Sequence, residues 1–336
     1  MKSLKAGIIG LGVGEKHIEA YGNHSGCHVV ALCDFSDEKI RYISEKYPTM
    51  KITKNANDII DDPAIDIVSI ASFDNFHYEQ IVRAIQNRKH IFVEKPLCLY
   101  RDEALSIKRM ILEKPGIRLS SNLNLRTCPR FGMLKKAVIS KKMGELFYLE
   151  GDYLWGRLQK LRSGWRKDMP FYSIVHGAAV HMIDLLMWIT GMKPTEVQGY
   201  GSRMSTKGSG MNYNDFAVIL MKFKNGMTAK VTANGGCVHP HFHRVAVFGT
   251  EQTFVHEISG SQVFNSREYR PDMMEAVGQY PAIEEKKKVI TTFVDSIIDN
   301  SKKPVVTCDD VFETMAVCYA AETAIQEKRP VRVEYI

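Results

Sequence analysis

Residues 10–14 have the residue types and spacing of a turn that could bind a phosphate. They read Gly-Leu-Gly-Val-Gly, after an apolar run and before a helical pattern. Glycines in that context allow a tight turn whose backbone amides approach a phosphate at a helix N-terminus. Glu15 stands where a third glycine is usual, so the motif alone is weak. The residues that we expect to contact a dinucleotide here are Gly10, Gly12, Val13 and Gly14.

An acidic residue downstream strengthens this hypothesis. Asp34 ends the second predicted strand, 20 residues after Gly14. A carboxylate at that position accepts hydrogen bonds from the adenosine ribose and repels a 2′-phosphate. The alternative is an ordinary turn-forming aspartate before Phe35. With the glycine turn, Asp34 predicts a dinucleotide site that prefers NAD over NADP.

The tripeptide Glu94-Lys95-Pro96 follows a short apolar run, 90–93. Ligands of parallel sheets bind beyond the carboxyl ends of the strands. Pro96 fixes the chain direction, so Lys95 could point into a crevice while Glu94 anchors it. A lysine there can donate a proton or a hydrogen bond to a substrate oxygen. The alternative is a surface ion pair.

The first 120 residues alternate between strand and helix patterns, which would position these groups. Helical patterns separate four short β-rich runs, at 6–9, 29–33, 67–71 and 90–93. Strands alternating with helices of this length indicate right-handed crossovers and a doubly wound parallel sheet.

Beyond residue 145 the pattern changes to longer, alternating strands. They lie in 145–156, 195–204, 216–235 and 241–254. Such alternation predicts an antiparallel sheet with one exposed face, and Asn225-Gly226 predicts a hairpin turn. Three helices are predicted, at 176–191, 281–299 and 308–327. The expected domains are 1–122 (α/β) and 123–336 (α+β).

Composition limits the class of protein. At 336 residues, with 45% hydrophobic and 25% charged residues, the chain predicts a globular protein of two domains. We expect no membrane span and no nucleic-acid partner, because no apolar run is long enough and the charge of +7 is not concentrated beside a reader motif. Seven scattered cysteines and no signal-peptide pattern predict a cytoplasmic protein with reduced thiols.

Motifs along the whole chain resemble those of the glucose–fructose oxidoreductase / inositol dehydrogenase (Gfo/Idh/MocA) family. The segments that carry the resemblance are the glycine turn, SIASFDNFH at 69–77, EKP at 94–96, LNLRTCPRF at 123–131, HGAAVHMIDLLMWITG at 176–191 and FGTEQTF at 248–254. The resemblance implies a Rossmann domain followed by an open-faced, mainly antiparallel sheet. It also implies an NAD(P)-dependent oxidoreductase that acts on CH–OH groups of a sugar or cyclitol.

The resemblance assigns roles to single residues. Lys95 would contact the reacting hydroxyl while hydride passes to the nicotinamide, and His181 would relay the proton, with Asp184 orienting its ring. The predicted cofactor-binding residues beyond the glycine turn are Asp34, Phe35, Ser72, His77 and Glu94. The predicted substrate-binding residues are Arg126, Trp155, Arg157, Trp165, Arg166, Tyr172, His176 and Asp184.

One position departs from the family pattern. Gly177 stands where the family has a catalytic aspartate, four residues before His181 and on the same helix face. His176, Tyr172 and Tyr153 are alternative groups for proton transfer, each with an ordinary packing role as the alternative.

Tryptophans and arginines in 155–166 suggest a nucleotide-linked or acidic sugar as substrate, since indoles stack on sugars and guanidiniums bind anions. Two alternatives to a dehydrogenase remain: a glycoside hydrolase that uses NAD transiently, and an inactive NAD-binding sensor. We also expect a homo-oligomer, a dimer or tetramer, formed through the second sheet.

The histidine-rich segment 237–243 raises the question of a metal site. Cys237, His239, His241 and His243 alternate, but ligands in line along a strand cannot close a tetrahedron. We therefore predict a sheet face or subunit contact, and no metal.

Overall fold

The computed structural model describes residues 3–268 and 280–336, and the backbone of the short strand at 274–275. The chain divides into two compact units. Unit 1 comprises Met1–Asn124, Ile283–Phe312 and Ile336, and unit 2 comprises Leu125–Ala282 and Glu313–Tyr335.

Unit 1 is built on a parallel sheet. Its strands are β1 (Leu4–Ile9), β2 (Cys27–Cys33), β3 (Lys51–Thr53), β4 (Ile67–Ile70), β5 (His90–Val93) and β6 (Leu119–Ser121). Its intervening helices are α1 (Glu15–Gly22), α2 (Asp37–Lys46), α3 (Asn57–Ile60), α4 (His77–Gln86) and α5 (Arg101–Glu113). The strand order β3-β2-β1-β4-β5-β6 is that of a dinucleotide-binding Rossmann fold. The predicted parallel sheet is confirmed.

A segment from late in the chain completes unit 1. The predicted helix at 281–299 is a 3-10 turn, Glu284–Lys287, followed by a longer helix that we number α9 (Lys288–Ile298). Helix α9 packs on α1, and its Phe293 meets Phe92 of β5 with ring centroids 5.7 Å apart. The predicted second domain, 123–336, includes residues 283–312, whereas the structure groups these residues with unit 1, because α9 buries its apolar face there.

Unit 2 is built on a mixed sheet. Its helices are α6 (Pro129–Ile139), α7 (Gln159–Arg162), α8 (Val180–Thr190) and most of α10 (Cys308–Glu327). Its strands are β7 (Leu146–Leu154), β8 (Pro194–Ser202), β9 (Phe216–Phe223), β10 (Thr228–Asn234), β11 (Phe242–Gly249), β12 (Thr253–Glu257), β13 (Gly260–Phe264), β14 (Met274–Glu275) and β15 (Val331–Arg332).

The strand order of this second sheet is β14-β13-β12-β11-β7-β10-β9-β8-β15. Strands β7 and β10 pair in parallel, and the other pairs among the described strands are antiparallel. The mainly antiparallel sheet is thus confirmed. The hairpin between β9 and β10 turns at Gly226 with φ +89°, a conformation that glycine allows.

The two faces of the second sheet differ. Along β10, Ala229 and Val231 are buried, whereas Lys230 between them is partly exposed. Helix α8 covers the buried face so closely that a Cβ on Gly151 of β7 would meet Met182 at 3.1 Å. This packing brings α8 over the strand that carries Tyr153.

The helix predicted at 176–191 begins differently from the prediction. Its first turn, Val175–Ala179, is a π-helix, and the α-helical part is α8. Single π turns are frequent at functional sites. In the described part of the chain, every helix is too short or too polar to cross a membrane.

Candidate active site

The glycine turn between β1 and α1 is shaped by close backbone contacts. A Cβ on Gly10 would lie 2.3 Å from the Ala71 carbonyl oxygen, and one on Gly14 would lie 2.2 Å from the Gly10 carbonyl oxygen. A Cβ on Gly12, by contrast, would meet nothing within 4 Å, and the neighbouring Val13 is exposed. Gly10 and Gly14 are therefore required by packing, whereas Gly12 leaves open space before the N-terminus of α1. This cradle fits a pyrophosphate.

Asp34 is tied to this turn. Its Oδ2 accepts a hydrogen bond from the Leu11 N–H at 2.7 Å, and its Oδ1 accepts one from the Ser36 N–H at 2.9 Å. The carboxylate is thereby fixed beside the glycine turn, where a ribose would lie. Phe35 follows with an exposed ring that meets Phe73 edge-on at 5.4 Å, so an aromatic surface for a purine stands next to it.

Glu15 has a structural explanation. Its carboxylate pairs with Lys39 and Lys46 of α2, each at 2.7 Å. Burial alone would raise the pKa of Glu15, but these two lysines lower it to about 2. The side chain is therefore directed to α2, which makes the departure from a third glycine compatible with a ligand at the turn.

Glu94 is held in a buried network that begins at α1. Its Oε1 lies 3.2 Å from Nε2 of His17 and accepts a hydrogen bond from the Asn122 amide. The other ring nitrogen of His17 lies 2.9 Å from the Ser69 hydroxyl. Burial alone would raise the pKa of Glu94, but the hydrogen bond and charge of His17, with the nearby charge of Lys95, hold it below its usual value.

This network has a consequence for Lys95. Strands β1, β4 and β5 are parallel neighbours, so the glycine turn and Lys95 follow strand ends at the same edge of the sheet. Lys95 is half-buried and directly follows Glu94, which is bound to α1 through His17.

His77 fixes the turn after Lys95. It is fully buried, its Nδ1 donates to the Pro96 carbonyl at 2.7 Å, and its Nε2 lies 3.3 Å from the Ser72 carbonyl. The Ser72 hydroxyl donates to Gln80 at 2.8 Å. His77 therefore joins the loop after β4 to the turn after β5, which supports a positioning role.

In unit 2, the π turn places Gly177 against Tyr172. The Tyr172 hydroxyl lies 2.8 Å from the position of a Cβ on residue 177. His176 is buried, and its ring packs edge-on against Phe171 and against Tyr319 of α10. Burial lowers the pKa of His176 to about 3, which favours packing over proton transfer.

His181 lies among other rings at the end of the sheet. It stacks on Tyr153 of β7 with centroids 5.7 Å apart, and Tyr153 also meets His241 and His243 at 5.2 and 4.8 Å. Nδ1 of His243 is hydrogen-bonded to the Tyr280 hydroxyl. We call Tyr153, His181, His241, His243 and Tyr280 the histidine–tyrosine cluster.

Asp184 and Arg126 bind each other. The guanidinium of Arg126 donates to both carboxylate oxygens at 2.6–3.1 Å, and both side chains are buried. Thr314 of α10 donates to the same carboxylate at 3.2 Å. The pair thus joins the start of unit 2 to α8 and α10, which gives both residues a structural role alongside the predicted substrate contact.

The tryptophans and arginines lie together. Arg166 is stacked over two indoles, with its guanidinium carbon 5.2 Å from the ring centre of Trp155 and 4.3 Å from that of Trp165. Arg157 is exposed, and its Nη2 lies 3.4 Å from Nδ1 of His241. Arg157 therefore brings positive charge to the histidine–tyrosine cluster.

The segment 237–243 differs from the predicted strand face, because β11 begins only at Phe242 and residues 237–241 form a loop. His241 and His243 join the cluster, whereas the His239 ring bonds the carbonyl of its neighbour Pro240. Among the described residues, the structure contains no group of three or more potential ligands arranged to hold a metal ion.

Sequence reasoning missed four residues of these two sites: His17, Asn122, His243 as part of the cluster, and Tyr280. The sequence does contain a local indication of His17, because a polar residue three positions after Gly14 lies on the buried side of α1. Tyr280 had none, because only the fold brings it to β11.

Two family models match the chain. The model of the Gfo/Idh/MocA oxidoreductase family, NAD-binding Rossmann fold, matches residues 4–122, and that of the Gfo/Idh/MocA C-terminal domain matches residues 131–255. The protein belongs to the Gfo/Idh/MocA family. As a member, it is an NAD-binding oxidoreductase that acts on CH–OH groups, as predicted.

Relatives of this Gfo/Idh/MocA protein extend over its whole length. Myo-inositol 2-dehydrogenase of Thermotoga maritima is 26% identical, with 99% of each chain covered. The structure of scyllo-inositol dehydrogenase from Lactobacillus casei, with bound NAD(H) and scyllo-inositol, aligns with a TM-score of 0.83 at 18% identity and 99% coverage of each chain. Levoglucosan dehydrogenase in complex with NADH and levoglucosan aligns with a TM-score of 0.84 at 20% identity and full coverage of both chains. These two structures share the fold.

Proposed function

We propose that the protein is an NAD-dependent dehydrogenase that interconverts a secondary hydroxyl and a carbonyl of a sugar or polyol. The observation that carries this proposal is the hydrogen bond between His17 of α1 and Glu94, because it ties the residue next to Lys95 to the helix that follows the glycine turn. The relatives named inositol and levoglucosan dehydrogenases support a sugar-type substrate.

In this proposal the chain's own residues bind and orient. The glycine turn and Asp34 hold NAD, which when bound supplies the hydride acceptor. Lys95 donates a hydrogen bond to the reacting oxygen, where negative charge develops. His181 takes up the proton of the same hydroxyl in oxidation and returns it in reduction.

Two observations favour different substrates. Arg157, beside His241, and the stacked Arg166 support a sugar with an acidic or nucleotide group. The names of the relatives instead favour a neutral polyol such as an inositol.

We further propose a cytoplasmic homo-oligomer. All seven cysteines are free thiols, which agrees with a reducing compartment. The open face of the second sheet carries exposed Tyr200 and Leu220 beside an ion-pair network of Arg244 with Glu150 and Asp152. A Leu220→Glu variant should therefore have a lower mass in solution by light scattering, and an unchanged mass would contradict association through this face.

The test of function is a screen for net NAD reduction with inositols, levoglucosan, hexuronic acids and nucleotide sugars. A dehydrogenase forms one NADH for each substrate oxidised. Release of a sugar from a glycoside without net NADH would instead identify a hydrolase, and NAD binding without any turnover would identify a sensor.

A further inference from the structure

Two linked hydrogen bonds connect the π turn before α8 to helix α10. The Ser173 hydroxyl donates to the Glu322 carboxylate and accepts from the His176 N–H at 3.0 Å. We infer that Glu322 is a positioning residue, which fixes the hydroxyl that caps the π turn and thereby sets the place of His181. This inference rests on the proposed function, in which His181 transfers the proton.

Ser173 binds the first N–H groups of the π turn. The start of a helix leaves backbone N–H groups without partners inside the helix, and a serine oxygen that accepts from one of them stabilises this end. The Ser173 side chain accepts from the His176 N–H, and the Ser173 carbonyl accepts from the Gly177 N–H at 2.9 Å. Ser173 is buried, so water has little access to these groups. One serine therefore caps the turn with two of its oxygens.

Glu322 determines the direction of the Ser173 hydroxyl. A hydroxyl has a single proton, and because this proton is donated to Glu322, the oxygen lone pairs remain for the His176 N–H. Burial raises the pKa of Glu322, whereas the hydrogen bond from Ser173 lowers it. The carboxylate and the hydroxyl therefore orient each other.

Helix α10 contacts the same segment at a second point. Tyr319 lies three residues before Glu322, on the same face of α10, and its ring packs edge-on against the His176 ring with centroids 5.3 Å apart. A variant that lacks the Glu322 carboxylate would keep this ring contact. We therefore expect it to fold, with only the start of the π turn released.

The π turn sets the orientation of α8. The Val180 N–H bonds the Val175 carbonyl, five residues back, and α8 continues directly from there through His181. A π turn contains about one residue more than an α-helical turn, so its relaxation would rotate the residues on one side of it by about 100°. Tyr172 directly precedes Ser173, on the other side of the turn. The cap therefore controls how His181 is oriented relative to the loop that carries Tyr172.

The experiment removes the acceptor on α10 and then restores it. Glu322→Leu has no acceptor for the Ser173 hydroxyl, whereas Glu322→Gln keeps a carbonyl oxygen. With the substrate that the screen identifies, Glu322→Leu should lower kcat about tenfold or more, and Glu322→Gln should keep kcat within about threefold. KM and the calorimetric affinity for NAD should change less than about threefold in both, because neither binding site loses a contact.

Two further variants separate positioning from a loss of stability. Ser173→Ala should lower kcat as Glu322→Leu does, and the double variant should be no slower than either, because both changes break the same chain of hydrogen bonds. Glu313→Leu is the matched control, since Glu313 lies on the same helix but pairs with Lys193, and its kcat should not change. A lower melting temperature with unchanged kcat is the result that a purely structural Glu322 would give.

Amide hydrogen exchange provides a measurement that does not depend on turnover. Exchange in residues 173–181 should be faster in Glu322→Leu and in Ser173→Ala, because the cap of the π turn is lost. In Glu322→Gln it should stay near the rate of the unaltered protein. If Glu322→Leu no longer binds NAD, Ser173→Ala decides by the same measurements.

Unchanged kcat in a Glu322→Leu or Ser173→Ala variant that binds NAD would overturn the inference, as would equal losses of kcat in Glu322→Leu and Glu322→Gln. Each of these results leaves the proposed function standing. An unaltered protein that forms no NADH with any substrate of the screen would overturn the proposed function and this inference with it.

Discussion

The hydroxyl of Tyr172 lies 2.8 Å from the point where a Cβ atom on Gly177 would stand. Side-chain atoms cannot come so close without displacing one another, so Tyr172 in this orientation requires glycine at 177. The tyrosine hydroxyl thus lies next to residue 177, the position of the aspartate in the family pattern. Residue 177 belongs to the π turn that precedes α8 and His181. The two residues form a coupled pair.

Tyr172 is expected to support proton transfer from this position. Tyr172→Phe should lower kcat by ~10²-fold or more, the usual effect of losing a general acid–base group, with unchanged calorimetric affinity for NAD. His176→Phe is the matched control, because His176 is packed against Tyr319, and kcat should stay within a few fold. A large fall in kcat in His176→Phe but not in Tyr172→Phe would instead assign proton transfer to His176.

The coupling itself can be tested by stability. Gly177→Ala should lower the melting temperature, since the new methyl group must displace the Tyr172 hydroxyl. In the double variant that combines Gly177→Ala with Tyr172→Phe, the melting temperature should fall less. Without the hydroxyl, the nearest ring atom lies 3.3 Å from the new Cβ atom. Additive losses in calorimetric melting would show that the two residues do not interact.

Asp34 should set the preference for NAD. Its carboxylate would repel a 2′-phosphate, so the unaltered protein should bind NAD at least about tenfold better than NADP, a difference of ~1.4 kcal/mol. Asp34→Asn keeps an oxygen for the Leu11 amide and should narrow that gap without unfolding the turn. Equal calorimetric affinities in the unaltered protein would remove Asp34 from the cofactor site.

The buried pair of Arg126 and Asp184 is expected to stabilise unit 2. Asp184→Asn leaves the guanidinium uncompensated, so the free energy of unfolding should fall by about 3–5 kcal/mol. Replacing both residues with apolar side chains, Arg126→Met with Asp184→Leu, should recover most of it. Denaturant titrations measure both values, and full stability in Asp184→Asn would leave only the predicted substrate role.

His176 should make the protein sensitive to acid. Its pKa is about 3 in the folded chain and about 6.5 in an unfolded one, so below pH 6.5 the unfolded state binds the extra proton. The free energy of unfolding should then fall by about 1.4 kcal/mol per pH unit until the pH nears 3. His176→Phe should lack this contribution, and identical pH profiles of the two proteins would contradict it.

The sequence predicted the elements well where the pattern is local. Helix α10 and strand β5 have the predicted bounds, because a clear change of period and flanking polar residues define them. The glycine turn and Asp34 could be predicted as a pair because a short-range motif encodes them, and the hydrogen bond from the Leu11 N–H to Asp34 joins them. Helix α9 was placed in the wrong half, since only its packing against Phe92 reveals where it belongs.

The site was harder to foresee where long-range contacts create it. His17 meets Glu94 across 77 residues, and His243 meets Tyr280 across 37. The histidines of 237–243 were interpreted as one strand face because the loop before β11 has no strong turn signal. A π turn has no sequence signature, so the position of Tyr172 against Gly177 could not be predicted.

The most direct test of the account is the rate of NADH formation by Lys95→Ala at saturating NAD, with the substrate that the screen identifies. Lys95 is proposed to hold the oxygen on which charge develops, whereas the glycine turn and Asp34 hold NAD. The rate should therefore fall by ~10²-fold or more while NAD affinity is retained, and Lys95→Arg should not restore it. Full turnover in Lys95→Ala, or joint loss of NAD binding and folding, would contradict the account and leave Lys95 a structural residue.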